Sequence, residues 1–246
     1  MADYDNRIAR GQTASPVDVV DAGLRAYLLR VYNYMLVGLG LTGGTAWITA
    51  NTSARDLFFQ VTPQGAIGLS GLGWVALIAP FVMVMFLSFR IQRMSLPAAQ
   101  ATFWAYAGLM GVSLAPIFWI YTGAGIAQTF FITAGMFGAM SLWGYTTGRD
   151  LSGFGSFLFM GLIGIIIASV VNMFMASPMM NWIISVAGVV IFTGLTAYDT
   201  QSIKNSYSVN DDGSVAGRKA IFGALRLYLD FINLFLMMLR LFGSRR

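Results

Sequence analysis

Long apolar runs separated by brief polar interruptions dominate the chain, and they set its architecture. A helix needs about 20 apolar residues to cross the hydrocarbon core of a bilayer. Seven stretches meet that length, roughly 27–49, 68–89, 98–121, 125–146, 154–176, 180–203 and 220–242. Short turns join most of them: Arg90 to Leu96, Thr122 to Ala124, Thr147 to Gly153 and Ser177 to Met179. The longest connection, NSYSVNDDGSVAGRK, lies between the sixth and seventh stretches and is polar. The pattern predicts an all-α membrane protein with seven transmembrane helices in one domain, residues 26–246. Residues 1–25 are polar and of mixed charge and lack the apolar centre of a secretory leader. They are expected to form a short, poorly ordered tail. Pro80 and Pro116 fall inside the second and third stretches, where they are expected to kink the helices. Glycines recur within spans, as in GLGLTGG and GLSGLG, where small residues let helices approach closely.

Composition strengthens this reading and narrows the chemistry. The chain has 246 residues, 57% hydrophobic and 10% charged, with mean hydropathy +0.69; a soluble domain carries about 25% charged residues. There is no Cys and no His, so disulfides, thiolate metal sites and serine–histidine catalysis are excluded from the sequence. GLGLTGG is not a phosphate loop, because it lies within an apolar span and lacks the Lys-Ser/Thr ending. The net charge of +5 comes largely from arginines flanking the spans. That fits membrane orientation, whereas nucleic-acid binding needs a continuous basic surface. With the N-terminus inside, the inner segments hold eleven Lys/Arg: Arg7, Arg10, Arg25, Arg30, Arg90, Arg93, Arg149, Lys204, Arg218, Lys219 and Arg226. The outer side holds four: Arg55, Arg240, Arg245 and Arg246. The bias predicts a cytoplasmic N-terminus. Seven crossings then put the C-terminus outside, although the ending LRLFGSRR places three arginines there.

Two acidic residues stand apart. All ten acids are Asp, and eight of them lie in the tail or loops. Asp199, in GLTAYDTQSIK, and Asp230, in ALRLYLDFINLF, lie inside apolar spans. A carboxylate in a membrane helix costs at least ~2.5 kcal/mol to place and usually faces a bundle interior or a polar pathway. Two neighbouring carboxylates titrate as a unit. A shared proton would join the two helices; loss of that proton would open the contact or admit a cation. Calcium suits hard oxygen ligands in flexible geometry, with waters and carbonyls completing the shell. Tyr198, Thr196 and Thr200 lie beside Asp199 and could bond its carboxyl, and Asn233 shares a helical face with Asp230.

Plainer readings compete. Arg226 and Asp230 stand at i, i+4, so a simple ion pair on one helix would neutralise Asp230. Asp199, close to Lys204, would then be a solvated acid at a helix end. Arg149 and Asp150 are expected to pair within a turn. Methionines and phenylalanines read as packing, and the tryptophans as interfacial anchors.

TAYDTQSIK followed by LYLDFINLFLMMLRLFG resembles the C-terminal signature of the Bax inhibitor-1 family. The segment FFITAGMFGAMSLWGYTTGRDLSGFGSFLFMGLIGIIIASVVNMF is similar to its bacterial, YccA-like branch, and the likeness runs from about Met83 to Phe242. The resemblance implies seven helices with the last one central and surrounded by the other six. It also implies a pH-sensitive calcium leak channel of the bacterial inner membrane, not an enzyme, with Asp199 and Asp230 as proton and Ca²⁺ sensor. No cofactor beyond the permeant ion is implied. The family's late arginine matches Arg240, yet no acid lies between Asp56 and Asp150 to serve as its partner in the second helix. A basic residue near the end of that helix, Arg90 or Arg93, is a further implied charge partner. The alternative implied role is regulation of the membrane-bound protease FtsH, contacted through the N-terminal tail. An intramembrane aspartic protease is disfavoured because no GxGD motif accompanies the aspartates.

Overall fold

The computed structural model describes residues 16–61 and 67–246. Its elements are α1 (Pro16–Asn51), α2 (Arg55–Phe58), β1 (Phe59–Val61), β2 (Ile67–Leu69), α3 (Gly71–Arg90), α4 (Leu96–Leu114), α5 (Ile117–Ile120), α6 (Gly123–Thr146), α7 (Ser152–Met175), α8 (Pro178–Asn205) and α9 (Gly213–Phe242), with a 3-10 turn at Ile91–Arg93. Among the described residues the protein is all-α apart from one small hairpin and an isolated bridge between Tyr121 and Arg245. Among the described residues, six helical segments are long and apolar enough to cross a membrane: α3 with its following turn, α4 with α5, and α6 to α9. Helix α1 has 36 residues but carries Asn33, Thr42, Thr45 and Thr49 among its apolar ones, and it is not among those six. The tail expected over residues 1–25 lies, for residues 1–15, outside the described residues. From Pro16 onward the chain is already helical.

The helix starts follow from the polar residues in the turns. Ser70, Ser95, Thr122 and Ser177 each accept a hydrogen bond from the backbone N–H of the residue three further on, which satisfies a donor that the first helical turn leaves free. Asp212 does the same for α9, accepting from the N–H groups of Ser214 and Val215 at 2.8 Å each. This cap starts α9 at Gly213, earlier than the expected 220. The backbone N–H of Val215, then the bonds from Ser214, hold the exposed Asp212 carboxyl below the usual range. Pro116 divides the third span into α4 and α5, whereas Pro80 sits inside an unbroken α3. The antiparallel pairing of β1 with β2 was not expected from the pattern.

The bundle has two ends. At one, the basic end, the α3–α4 turn, the α6–α7 turn and the α8–α9 connection come together with Arg90, Arg93, Arg149, Lys204, Arg218 and Lys219. At the other lie the hairpin, the α4–α6 region and the C-terminus. The C-terminus is fixed there: Thr122 N donates to Ser244 O (2.9 Å) and Arg246 N to Ile120 O (3.0 Å). Helix α9 therefore runs the full length of the bundle.

Helix α9 is also the most buried of the six spans. Of its most apolar stretch 72% is buried, against 17–39% for the other five spans. Its main packing partners are α8, α1, α6 and α4, while α3 packs mainly on α4 and α7 on α8. Four helices thus supply most of its packing. Among them, a buried hydroxyl chain fixes three helices together. Tyr228 of α9 donates to Thr42 Oγ1 of α1 (2.6 Å), because the Thr42 hydroxyl is itself committed to the carbonyls of Gly38 and Ala107 (2.9 Å each). Tyr106 of α4 meets the Tyr228 ring edge-on at 5.5 Å.

Two glycines are required by close approach. A Cβ on Gly111 of α4 would collide with the backbone of α1 at Thr42, and one on Gly144 of α6 would collide with the Ala197 backbone of α8. Replacing Gly144 by Leu should therefore push α6 off α8, with an overpacking cost of about 1–3 kcal/mol or more. A lowered thermal unfolding midpoint in detergent is the expected result. Gly138→Ala on the same helix, where a Cβ meets nothing within 4 Å, should leave the midpoint unchanged or slightly raised.

Candidate functional site

Helices α8 and α9 pack antiparallel, and Gly223 of α9 lets Ile203 of α8 lie within 3.2 Å of where its Cβ would be. This close packing sets Asp199, in the last two turns of α8, beside the middle of α9. Asp199 and Asp230 are 7% and 5% exposed, and both are buried as neighbours where α8 packs on α9. The solvated helix-end reading of Asp199 therefore fails. Arg226, one turn before Asp230 on α9, does not pair along its own helix. It reaches across to α8, where Nε donates to Asp199 Oδ2 (3.1 Å) and Nη2 donates to Asp199 Oδ1. Its Nη1 donates to Ser202 Oγ at 3.1 Å, and its guanidinium lies 5.9 Å from the centre of the Tyr198 ring. The single-helix Arg226–Asp230 ion pair is thus replaced by a two-pronged clamp between helices. Asp230 is left with Oδ2 buried and, among the described residues, without a donor.

The other candidate residues lie elsewhere or bond elsewhere. Arg240, Arg90 and Arg93 are exposed near the helix ends, and none is brought to the carboxyl pair. Thr196 donates to Phe192 O (2.8 Å) and Thr200 to Ser141 Oγ (3.3 Å), so neither bonds Asp199. Asn233 donates to Leu229 O at 2.8 Å. Among the described residues Arg149 and Asp150 form no ion pair. Asp150 instead accepts from Ser152 N (2.9 Å) in the turn before α7, and bonding from Ser152 holds its exposed carboxyl below the usual range.

Sequence reasoning missed two residues. Ser202, one turn after Asp199, takes the third arginine bond. Gln201 is buried, accepts from Leu151 N (2.9 Å) and donates to Arg149 O (2.8 Å), so the α6–α7 turn is tied to the same stretch of α8. Both lie within four residues of Asp199 in TAYDTQSIK, and polar residues that close to a buried acid are the signal that would have found them.

Residues 24–246 match the family described as Inhibitor of apoptosis-promoting Bax1. The chain belongs to the Bax inhibitor-1 family. It is 50% identical over 228 residues to the Inner membrane protein YbhL of Escherichia coli (strain K12), covering 92% of this chain and 94% of that one. Similarity to the protein RP147 of Rickettsia prowazekii (strain Madrid E) extends over all of both chains at 45% identity. A Caulobacter vibrioides protein is 43% identical, again over all of both chains. Membership places the transmembrane helices, including the two that carry the aspartates, within one membrane-protein family along nearly the whole chain.

The geometry limits how a cation could use the pair. Calcium takes about six to eight oxygen ligands. No group of three or more His, Cys, Asp or Glu occurs among the described residues, and Arg226 already occupies both oxygens of Asp199. A cation that takes Asp199 as a ligand must first displace the guanidinium.

Removing one partner of a buried pair leaves an uncompensated charge and typically costs ~3–5 kcal/mol. Arg226 is a quarter exposed, so the lower end applies. Arg226→Gln should lower the unfolding midpoint in detergent more than Asp199→Asn/Arg226→Gln does. A double-mutant cycle reads the difference as the coupling between the two, and additive losses would mean that the clamp contributes nothing.

Proposed function

We propose that this protein is a pH-sensitive calcium leak channel of the bacterial inner membrane, gated where α8 and α9 meet at Asp199, Asp230 and Arg226. All seven long helices cross the bilayer, with α1 as the seventh, α9 at the centre and the N-terminus in the cytoplasm. The gathering of Lys and Arg at one end of the bundle supports that orientation. The name of the YbhL relative supports the inner membrane.

One observation carries the gating reading: of two neighbouring buried carboxyls, Asp199 holds both of its oxygens on Arg226, while Asp230 has a buried oxygen with no donor among the described residues. Fully ionised, the three groups carry one net negative charge in a setting where uncompensated charge is costly. Either a proton or a cation can cancel it. A proton shared between the carboxyls supplies the missing donor and holds α8 on α9, which is the closed state. Loss of that proton leaves a net negative site that draws a cation, and the cation competes with Arg226 for Asp199. The same clamp makes the pathway slow, because each opening breaks a charge-assisted pair.

Calcium entry into dye-loaded proteoliposomes between about pH 6 and 8 tests the gate as a unit of coupled groups. Wild type should show flux that changes with pH. Asp199→Asn and Asp230→Asn should each flatten the pH profile, and Arg226→Gln should raise flux by freeing Asp199. Wild-type flux no greater than that of empty liposomes, at verified insertion, would sink the channel reading. Regulation of the FtsH protease through the N-terminal tail would then lead.

A further inference from the structure

Helices α1 and α6 flank a slot over α9. Its main chamber has a volume of about 660 Å³. The walls are apolar, with Leu28, Leu36 and Leu39 on α1, Phe137 and Leu142 on α6, and Phe231 of α9 as the floor. A second chamber of about 110 Å³ shares Leu39, Phe130 and Phe231 with the first and continues toward the hairpin end. The slot opens sideways, since Leu36 and Leu142 on its rims are 60% and 63% exposed.

Its two ends differ. Arg25 lines the slot at the basic end, together with Tyr145. Lys204 stands 4.9 Å over the Tyr145 ring and donates to the Tyr145 carbonyl (2.9 Å), which adds a second cation at that mouth. From Arg25 to Leu39 along α1 is about 21 Å at 1.5 Å per residue. One leaflet contributes half of a hydrocarbon core about 30 Å thick. The slot is therefore long enough to span the hydrocarbon of one leaflet and reach its headgroups, apolar along most of its length and cationic at the mouth. Basic pockets between membrane helices take anionic headgroups in this way.

We propose that the α1–α6 slot binds one anionic phospholipid, its phosphate at Arg25 and an acyl chain lying against Phe231. Occupancy of the site can be scored without any ion flux.

Native mass spectrometry of the full chain, released from vesicles of three parts phosphatidylethanolamine to one part phosphatidylglycerol, tests the assignment. Wild type should retain one phosphatidylglycerol. Gly138 lines the slot, and a Cβ there meets nothing within 4 Å, so Gly138→Leu fills the space without disturbing the backbone. It should weaken retention about tenfold, the factor that losing contact with roughly two buried methylenes corresponds to. Arg25→Gln should keep a bound lipid but lose the preference for phosphatidylglycerol over phosphatidylethanolamine. Unchanged unfolding midpoints for both variants would show that the fold is intact. No retained lipid in wild type, or equal retention in wild type and Gly138→Leu, would overturn the proposal. An unaltered headgroup preference in Arg25→Gln would overturn the anionic assignment.

Discussion

Arg226 and Asp199 meet across two antiparallel helices in a setting where neither ion could be left alone. A bare charge deep in a membrane protein is costly, and a pair repays its desolvation only when its geometry is close and its remaining hydrogen bonds are made. Here both oxygens of Asp199 are engaged by the guanidinium, and the remaining nitrogen bonds Ser202. That demand fixes the register of α8 on α9. Gly223 suits that close packing, since a Cβ there would press on the Ile203 side chain one turn after Asp199.

The rest of the bundle holds that register in place. Gly144 lets α6 press against the backbone of α8 two residues before Asp199. On the opposite side of α9, the Tyr228–Thr42 bond pins the helix to α1 and, through the Ala107 carbonyl, to α4. The C-terminal residues tie the far end of α9 to the turn before α6. A helix held at its middle on two sides and again at its end has little freedom to slide. Relief of the unpartnered Asp230 oxygen must come from a proton, an ion or a local separation of α8 from α9.

Hydropathy located the long helices because the requirement for apolar residues in a bilayer is strong and local. It also isolated Asp199 and Asp230, since a carboxylate in such a run has few bland explanations. The partner of Arg226 was misread for a physical reason. Side chains on a helix lean toward its N-terminus, so a basic residue placed N-terminal to an acid at i, i+4 points away from it, the less favourable order. Arg226 therefore leans toward Asp199 on the next helix. The early start of α9 hid behind the acidic, glycine-containing connection, where Asp212 acts as a cap and not as loop filler. The hairpin at Phe59–Leu69 and the central role of Ser202 depend on contacts between segments, which no local pattern displays.

The carboxyl site and the apolar slot share a wall only one helix thick. Consecutive residues on a helix point about 100° apart, so Asp230 can face α8 while Phe231 floors the slot between α1 and α6. Ser141 repeats this arrangement on α6: it lines the slot and also receives the hydroxyl of Thr200, the neighbour of Asp199. Any separation of α8 from α9 that turns or shifts α9 must therefore move Phe231 against whatever fills the slot. Conversely, an acyl chain lying against Phe231 resists that motion by its packing alone. The polar chemistry on one face of α9 and the lipid-facing cavity on the other are in this way mechanically linked through a single pair of adjacent residues.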